Sequence, residues 1–247
     1  MKQTEQIMGM PITVICADDH VNETAIDDVF SFFREIDVRY SPYIDASDVG
    51  KINRGELVVE HYSQELRTIL ELAESTKRQT NGYFDVWHKD VFDPSGIVKG
   101  WAIQRAAALL AEQSRNFYIE AGGDIQVQGH SELGKPWQIG VRNPFDRTQT
   151  IAIISLNHGA IATSGTAIRG QHIYNPHDAA PLDDVVSLSV VGERIEDADR
   201  FATAAFAMGK QGIDFIESLP GFEGYMVDKN KTVTMTSGWQ RYEAKLS

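Results

Sequence analysis

The sequence has little cysteine, no long hydrophobic run and a shortage of positive charge. Cys16 is the one cysteine among 247 residues, so no disulfide within the chain can hold the fold, as is usual in a reducing compartment. No stretch of about 18 apolar residues occurs, which argues against a membrane-spanning helix, and the first ten residues lack the apolar core of a signal peptide. We therefore expect a soluble, cytoplasmic protein with no membrane segment.

The charge balance argues against nucleic acid as a partner. The chain has 23 Lys and Arg against 35 Asp and Glu, a net charge of −12 at pH 7, and its basic residues form no stripe. Phosphate contacts along a nucleic acid need clustered Lys and Arg. A hydrophobic share of 42% and a charged share of 23% are typical of a globular protein. We expect one domain spanning residues 1–247.

Apolar spacing predicts a fold that mixes helices and strands. Apolar residues three and four apart predict helices over 25–40, 63–78, 100–114 and 197–208, and a shorter helix near 213. Asn22 or Thr24 is expected to cap the first helix. An ordered loop is predicted for 41–55. Alternating or short apolar runs predict strands at 11–16, 117–119, 125–128, 137–141, 150–156 and 185–191, with a closing hairpin of 225–227 and 232–235. Without βαβ alternation, the class is α+β, a mainly antiparallel sheet flanked by helices.

Two segments have the residue types of a metal and phosphate site. Asp199 and Thr203 are four apart on a predicted helix, so both oxygens lie on one face, as a hard cation such as Mg²⁺ requires. Gly96 and Lys99 stand where a turn runs into a helix, which suits a phosphate. Taken alone, each pattern is more typical of ordinary structure: acidic residues at a helix start, and a turn followed by a solvated lysine.

Histidine offers one candidate general base. His172 lies near the turn residue Pro176, and the ordinary pKa of histidine, near 6.5, suits proton transfer, although most lone histidines are not catalytic. The other six histidines show no zinc-ligand spacing. No Gly-x-Ser-x-Gly motif is present, which excludes the usual hydrolase elbow.

The order of several short motifs carries more information than any one of them. The motifs are Met8-Gly9-Met10, Ser41-x-Tyr43 with Ser47 and Asn53, Asn81-Gly82-Tyr83-Phe84-Asp85, Gly96-Ile97-Val98-Lys99-Gly100, Gly122-Gly123-Asp124, Thr163-Ser164-Gly165, His172-Ile173-x-x-Pro176 and Ala198-Asp199-x-x-x-Thr203. In this order they resemble the ApbE-like FAD:protein FMN transferases, a bacterial flavin transferase family. The resemblance covers nearly the whole chain and implies that family's T-fold-like architecture.

The resemblance also implies roles for individual residues. Mg²⁺ would be held by the side chains of Asp199 and Thr203 and by the Gly96 carbonyl. His172 would assist deprotonation of the attacking hydroxyl. The residues at FAD-contacting positions are Met8, Tyr43, Tyr83, Phe84, Asp85, Asp93, Lys99 and Ile173.

The implied reaction is flavinylation, a post-translational modification. A Thr or Ser hydroxyl of a target flavoprotein, within a Ser/Thr-Gly-Ala-Ser/Thr motif preceded by Asp, attacks FAD, acquires FMN and releases AMP. Two alternatives are open: an Mg²⁺-dependent FAD pyrophosphatase that yields FMN and AMP, and an FAD-binding protein without catalysis. The chain departs from the family at Asn175-Pro176-His177-Asp178-Ala179, where the family usually has Asp-Pro-Arg-Thr-Gly, and only six residues separate Gly165 from His172. We expect this loop to border the pocket.

Overall fold

A computed structural model describes residues 1–19, 21–166, 173–177, 182 and 184–244. The strands are β1 (Lys2–Ile7), β2 (Met10–Cys16), β3 (Trp87–His88), β4 (Val91–Phe92), β5 (Phe117–Ala121), β6 (Asp124–Gln128), β7 (Trp137–Arg142), β8 (Thr150–Leu156), β9 (His158–Gly165), β10 (Val185–Gly192), β11 (Glu223–Asp228) and β12 (Val233–Met235). The α-helices are α1 (Glu23–Tyr40), α2 (Asp48–Asn53), α3 (Gln64–Gln79), α4 (Ser95–Ala111), α5 (Ile195–Ala207) and α6 (Gly212–Ser218).

An eight-stranded sheet forms the centre of the fold. Its order is β1-β2-β5-β6-β9-β10-β11-β12, and every neighbouring pair is antiparallel. The pairs β3–β4 and β7–β8 form two separate hairpins. The predicted class, a mainly antiparallel sheet with flanking helices, is confirmed.

The two faces of the sheet bury two different apolar cores. Phe117 and Ile119 on β5 point to the side of the helices, where they join the larger core. Tyr118, between them, points to the other face, where the β7–β8 hairpin packs through residues such as Ile139. This alternation is the two-residue period of a strand. The molecule therefore has three layers: helices, sheet and hairpin.

The first helix forms as its sequence predicts. The side chain of Asn22 accepts a hydrogen bond from the backbone N–H of Ala25 at 3.1 Å, so Asn22 is the N-cap. Phe30 and Phe33, on the apolar face, are buried in the larger core.

Three expectations about secondary structure are wrong. The loop predicted for 41–55 contains α2, which the Ser47 side chain caps by accepting from Gly50 N–H at 2.9 Å. Only Val49 of this helix is buried, so no apolar period marks it. The third helix begins at Ser95 rather than at residue 100, because Pro94 stands at the N-cap and its carbonyl accepts from Ile97 and Val98 N–H.

The third error concerns strands with a weak apolar signal. β1 was not predicted, because its side chains are mostly polar and it is an edge strand with exposed positions. β9, eight residues long, was not predicted either.

Two tight connections between elements contain glycines with positive φ. The chain leaves α3 through Asn81 and Gly82, with φ of 50° and 83°, the left-handed conformation in which many helices end. β5 turns into β6 through Gly122 and Gly123, with φ of 61° and 101°. Over the described residues, no helix is both long and apolar enough to cross a membrane.

Candidate functional site

A cavity of about 1070 Å³ opens where the three layers meet. This volume is slightly above the usual range for small-molecule sites, roughly 300 to 1000 Å³. Its walls come from the N-terminal turn of α4, the face of α5, the β5–β6 turn, the end of β9, and β7. Most of the motifs that the sequence analysis selected therefore meet around one space.

The contact between α4 and α5 places Asp199 at the base of this cavity. A β-carbon built on Gly100 would lie 2.7 Å from Asp199 Cβ and 3.1 Å from Glu196 Cα, so only glycine allows this approach. The backbone N–H of Gly100 donates to Asp199 Oδ2 at 2.9 Å. The Gly100 position thus both admits and orients the carboxylate.

Lys99 lies between two buried carboxylates. Its Nζ is 2.5 Å from Asp124 Oδ2 and 3.4 Å from Asp199 Oδ1. Asp124 is 1% exposed and Asp199 is 3% exposed. Asp124 is held in turn by Thr163 N–H, which donates to Oδ1 at 3.0 Å. The ammonium group is therefore held at the cavity wall by side chains from two different elements.

Burial governs the protonation of Asp199. Loss of hydration raises the pKa of this carboxyl from 3.8 to about 7, although Lys99 opposes the shift; Asp124 adds to it by charge repulsion. A positive charge placed beside the carboxylate would stabilise its ionised form. The site is thus suited to a further cation.

The oxygen atoms near Asp199 fit a magnesium ion. Thr203, one helical turn further along α5, lines the cavity, and its Oγ1 is 3.4 Å from Ser164 Oγ on β9. A β-carbon at Gly96 would lie 3.7 Å from Thr203 Cγ2, so the first turn of α4 is close to this hydroxyl. A carboxylate with hydroxyl and backbone oxygens is the donor set that Mg²⁺ prefers. No cluster of three His, Cys, Asp or Glu residues suited to a metal occurs in the described part of the chain.

Aromatic side chains also line the cavity. Phe84 is buried, and its ring would be 3.3 Å from a β-carbon on Gly96. Tyr83 meets the ring of His177 edge-on, with 4.5 Å between centroids. Tyr174 lies 4.0 Å from the ring of His88, centroid to centroid. The segment 173–177 thus contacts the segment after α3 across the cavity, consistent with the expectation that this loop borders the pocket.

Nine of the predicted site residues line this cavity, two do not, and one lies outside the described residues. Those that line it are Tyr83, Phe84, Asp85, Asp93, Gly96, Lys99, Ile173, Asp199 and Thr203. Met8 packs against the larger core and its N–H donates to Asp37 Oδ2 at 3.2 Å. Tyr43 is on an outer loop and is 90% exposed. His172 lies outside the described residues.

Sequence reasoning missed the roles of Asp124 and Gln126. Asp124 was noted only as part of a glycine turn, and its pairing with Lys99 depends on a contact between distant parts of the chain. The side chain of Gln126 accepts from Ile195 N–H at 2.9 Å and donates to Gly159 carbonyl at 3.1 Å. A polar residue at an inward position of β6 was the available signal.

Comparisons with known proteins agree on one family. A family model described as the ApbE family matches residues 8–93 and 88–226. A protein of Vibrio cholerae named FAD:protein FMN transferase is 34% identical over 130 residues, which are 48% of this chain and 39% of that protein. One of Chlamydia trachomatis with the same name is 30% identical over 152 residues, 56% of this chain and 46% of that protein. The matched part therefore spans less than half the length of these relatives.

Solved structures share the fold over almost the whole chain. The ApbE protein of Thermotoga maritima superimposes with a TM-score of 0.86 at 22% identity and covers 99% of both chains. The flavin transferase ApbE of Vibrio cholerae gives a TM-score of 0.85 at 21% identity, with 98% of both chains covered.

Proposed function

Because the chain belongs to the ApbE family, we propose that it is an FAD:protein FMN transferase that modifies a Ser or Thr hydroxyl of a target flavoprotein and releases AMP. The observation that carries this proposal is the convergence of Lys99, Asp199 and Thr203 in a cavity that aromatic side chains also line. A dinucleotide with a charged pyrophosphate and a flat apolar ring needs both kinds of surface.

The reaction exchanges a phosphoanhydride bond of FAD for a phosphoester bond to the acceptor. The acceptor oxygen forms a bond to the phosphorus on the FMN side of the pyrophosphate, and the bond from that phosphorus to the bridging oxygen breaks. AMP leaves with the bridging oxygen, and the hydroxyl proton passes to a base. Positioning and charge neutralisation supply most of the catalysis in such a transfer.

Residues of this chain would hold the substrate in place. The Lys99 ammonium, fixed by Asp124, would lie against the pyrophosphate. Tyr83, Phe84 and Ile173 would cover apolar parts of the flavin. Asp85 and Asp93 complete the wall.

Asp199, Thr203 and the Gly96 carbonyl would hold Mg²⁺, since they offer oxygen ligands and a buried carboxylate whose ionised form needs a cation. Bound there, the ion would neutralise charge that develops on the phosphate oxygens. Gly100 N–H would keep the carboxylate oriented.

We assign proton removal to His172 on the basis of the family resemblance.

We also place the protein in the cytoplasm, since its one cysteine, Cys16, is buried and unpaired.

A mass measurement tests the transferase. The protein is incubated with FAD, Mg²⁺ and a flavoprotein domain that carries Ser-Gly-Ala-Thr, and intact mass and AMP are followed. We expect the acceptor to gain one FMN phosphoryl group for each AMP formed. AMP and free FMN at a rate independent of the acceptor would identify a pyrophosphatase, and FAD binding without AMP would identify a binding protein.

Asp199→Ala tests whether Asp199 is a ligand of Mg²⁺. Loss of a charged ligand should reduce Mg²⁺-dependent transfer by about a hundredfold or more. Asp214→Ala, at an exposed position on α6, is the control and should transfer FMN at the normal rate. Full activity of Asp199→Ala would refute the metal assignment.

A further inference from the structure

One edge of β7 is open and faces the cavity. Among the described residues, β7 pairs with β8 alone. The five consecutive residues 138–142 of β7 all line the cavity, although side chains along a strand alternate between its two faces. The feature that these residues share is the main chain of β7, so the unpaired edge of this strand opens into the cavity. We call it the β7 edge.

The hydrogen bonds of β8 show which groups lie on the β7 edge. Ser155 N–H donates to the Tyr242 carbonyl, and the Ile153 carbonyl accepts from Ala244 N–H, so these two residues point away from β7. Ile154 between them therefore points toward β7, where its partner is Ile139. Since pairing alternates along an antiparallel strand, the N–H and carbonyl groups of residues 138 and 140 point away from β8.

The face of β5 forms the floor beside this edge. The Tyr118 ring lies 5.6 Å from the ring of Trp137, centroid to centroid. At the other end of β7, Arg142 Nη2 is 3.5 Å from Glu120 Oε1. Tyr118 and Glu120 both line the cavity. The β7 edge thus borders a slot that is apolar at one end and charged at the other.

Two arginines give the charged end of the slot an attraction for acidic groups. Arg147, in the connection from β7 to β8, lines the cavity and is exposed, and no described residue pairs with its side chain. Arg142 is exposed and pairs with Glu120 alone among the described residues. The chain as a whole has a net charge of −12, so an unpaired basic group at a cavity mouth is a local exception. Such a group favours an acidic partner.

We propose that the β7 edge binds an extended, acidic segment of the acceptor protein and directs its hydroxyl toward Lys99, Asp199 and Thr203. The occupant is a strand that hydrogen-bonds to the main chain at residues 138 and 140, and its acidic side chains meet Arg142 and Arg147. Strand addition to an open sheet edge is a general mode of peptide recognition. This inference rests on the proposed function, because only a transferase needs an acceptor segment at this place.

Charge reversal at Arg147 tests the acidic end of the slot. The probes are short fluorescent peptides that contain Ser-Gly-Ala-Thr flanked by two aspartates or by two lysines, added to the FAD-loaded protein. Arg147→Glu should weaken binding of the aspartate peptide about tenfold and strengthen binding of the lysine peptide. Arg115→Glu is the control, because Arg115 is also exposed but lies away from the cavity; it should leave both affinities as they are.

Proline at position 138 tests the main-chain contact. The Gln138 side chain donates to Ser155 Oγ at 2.9 Å, and its backbone N–H points away from β8. Gln138→Ala removes only the side-chain bond, whereas Gln138→Pro also removes the N–H from the β7 edge without breaking the β7–β8 ladder. We expect the proline variant to bind the aspartate peptide about three- to tenfold more weakly than the alanine variant.

The measurements separate this inference from the proposed function. Peptide binding is read by fluorescence anisotropy, which needs no chemistry, so it tests the β7 edge even if no AMP forms. FAD affinity, followed by flavin fluorescence, should be the same in the Arg147 and Gln138 variants as in the unmodified protein. Equal peptide affinities throughout, or a loss of FAD affinity that matches the loss of peptide affinity, would overturn the proposal; the second result would assign the slot to FAD.

Discussion

Asp199 combines two properties that rarely occur together in an aspartate. It is buried, and it is within reach of only one cationic side chain among the described residues, Lys99, which it shares with Asp124. Loss of hydration disfavours the ionised form of this carboxyl, and Lys99 offsets only part of that cost. The folded protein therefore holds a proton on the Asp199 carboxyl up to about pH 7. Its protonation therefore links the stability of the fold to the occupancy of the site.

The pH dependence of stability is the first prediction at this scale. Between pH 3.8 and about 7 the folded protein keeps a proton that the unfolded chain has released, so stability falls as pH rises through this window. Asp199→Asn has no proton to lose. In buffer with a chelator, we expect its melting temperature to rise relative to that of the unmodified protein between pH 5 and pH 8.

Magnesium provides the control for this measurement. At pH 8, adding Mg²⁺ should raise the melting temperature of the unmodified protein and should have little effect on Asp199→Asn. A melting-temperature difference that stays constant from pH 5 to pH 8 would contradict the role given to this carboxyl.

The start of α5 shows how one element is positioned by another. Arg194 stands at its N-cap and makes no side-chain cap hydrogen bond. Instead Gln126 on β6 accepts from Ile195 N–H, while its amide nitrogen donates to the Gly159 carbonyl. The sheet thus caps the helix that carries Asp199 and Thr203, and it fixes the rotation of that helix about its axis.

Replacement of this cap gives an element-scale prediction. Gln126→Leu leaves Ile195 N–H and the Gly159 carbonyl buried without this partner, so we expect a loss of about 1 to 3 kcal/mol in the free energy of unfolding. Urea denaturation measures it. Gln64→Leu, at an exposed position of α3 whose side chain makes no hydrogen bond to a described residue, is a glutamine control and should cost less; an equal cost would show that Gln126 is not a cap.

Gly100 gives a second prediction at this scale. Alanine has the higher helix propensity by about 1 kcal/mol, but its β-carbon at position 100 would come within 2.7 Å of Asp199 Cβ. We expect Gly100→Ala to move α5 away from α4, to lower the melting temperature and to weaken Mg²⁺ binding measured by calorimetry. A more stable variant with normal Mg²⁺ affinity would show that the two helices separate without cost.

Elements with a strong apolar period could be predicted from the sequence, and those formed by polar residues could not. The helix of 25–40 follows from Phe30 and Phe33, whereas α2 depends on the Ser47 cap and buries only Val49. The helix near 95 was predicted too short, because its first turn contains glycine and follows proline. Helix caps and turn geometry determine where α2 and α4 begin. Both depend on a few neighbouring residues and leave no apolar periodicity in the sequence.

At the scale of the whole molecule, the three layers bring together parts of the site that are far apart in the sequence. Gln138 on the hairpin and Thr203 on α5 line the same cavity from different layers. Nine residues selected by motif order line this cavity, since a family resemblance preserves positions along the chain. The pairing of Lys99 with Asp124 and the open β7 edge could not be predicted, because both depend on how distant strands pack.

Ligand stabilisation is the prediction at this scale. A ligand that bridges layers binds only the folded state, so FAD at a hundred times its dissociation constant should add about 2.7 kcal/mol to the free energy of unfolding. Thermal unfolding with increasing FAD measures this. Asp199→Ala should keep the increment due to FAD and lose the further increment due to Mg²⁺; no shift with FAD would contradict binding in this cavity.

The single cysteine has a practical consequence. Cys16 is fully buried at the end of β2, and burial raises the pKa of its thiol above the ordinary value, so it reacts slowly with alkylating reagents. A cysteine introduced at an exposed position beside the slot, such as 148, would then be the only readily labelled thiol among the described residues and would leave Arg147 in place. Spin labels or dyes attached there could report the arrival of an acceptor segment without first removing the native cysteine.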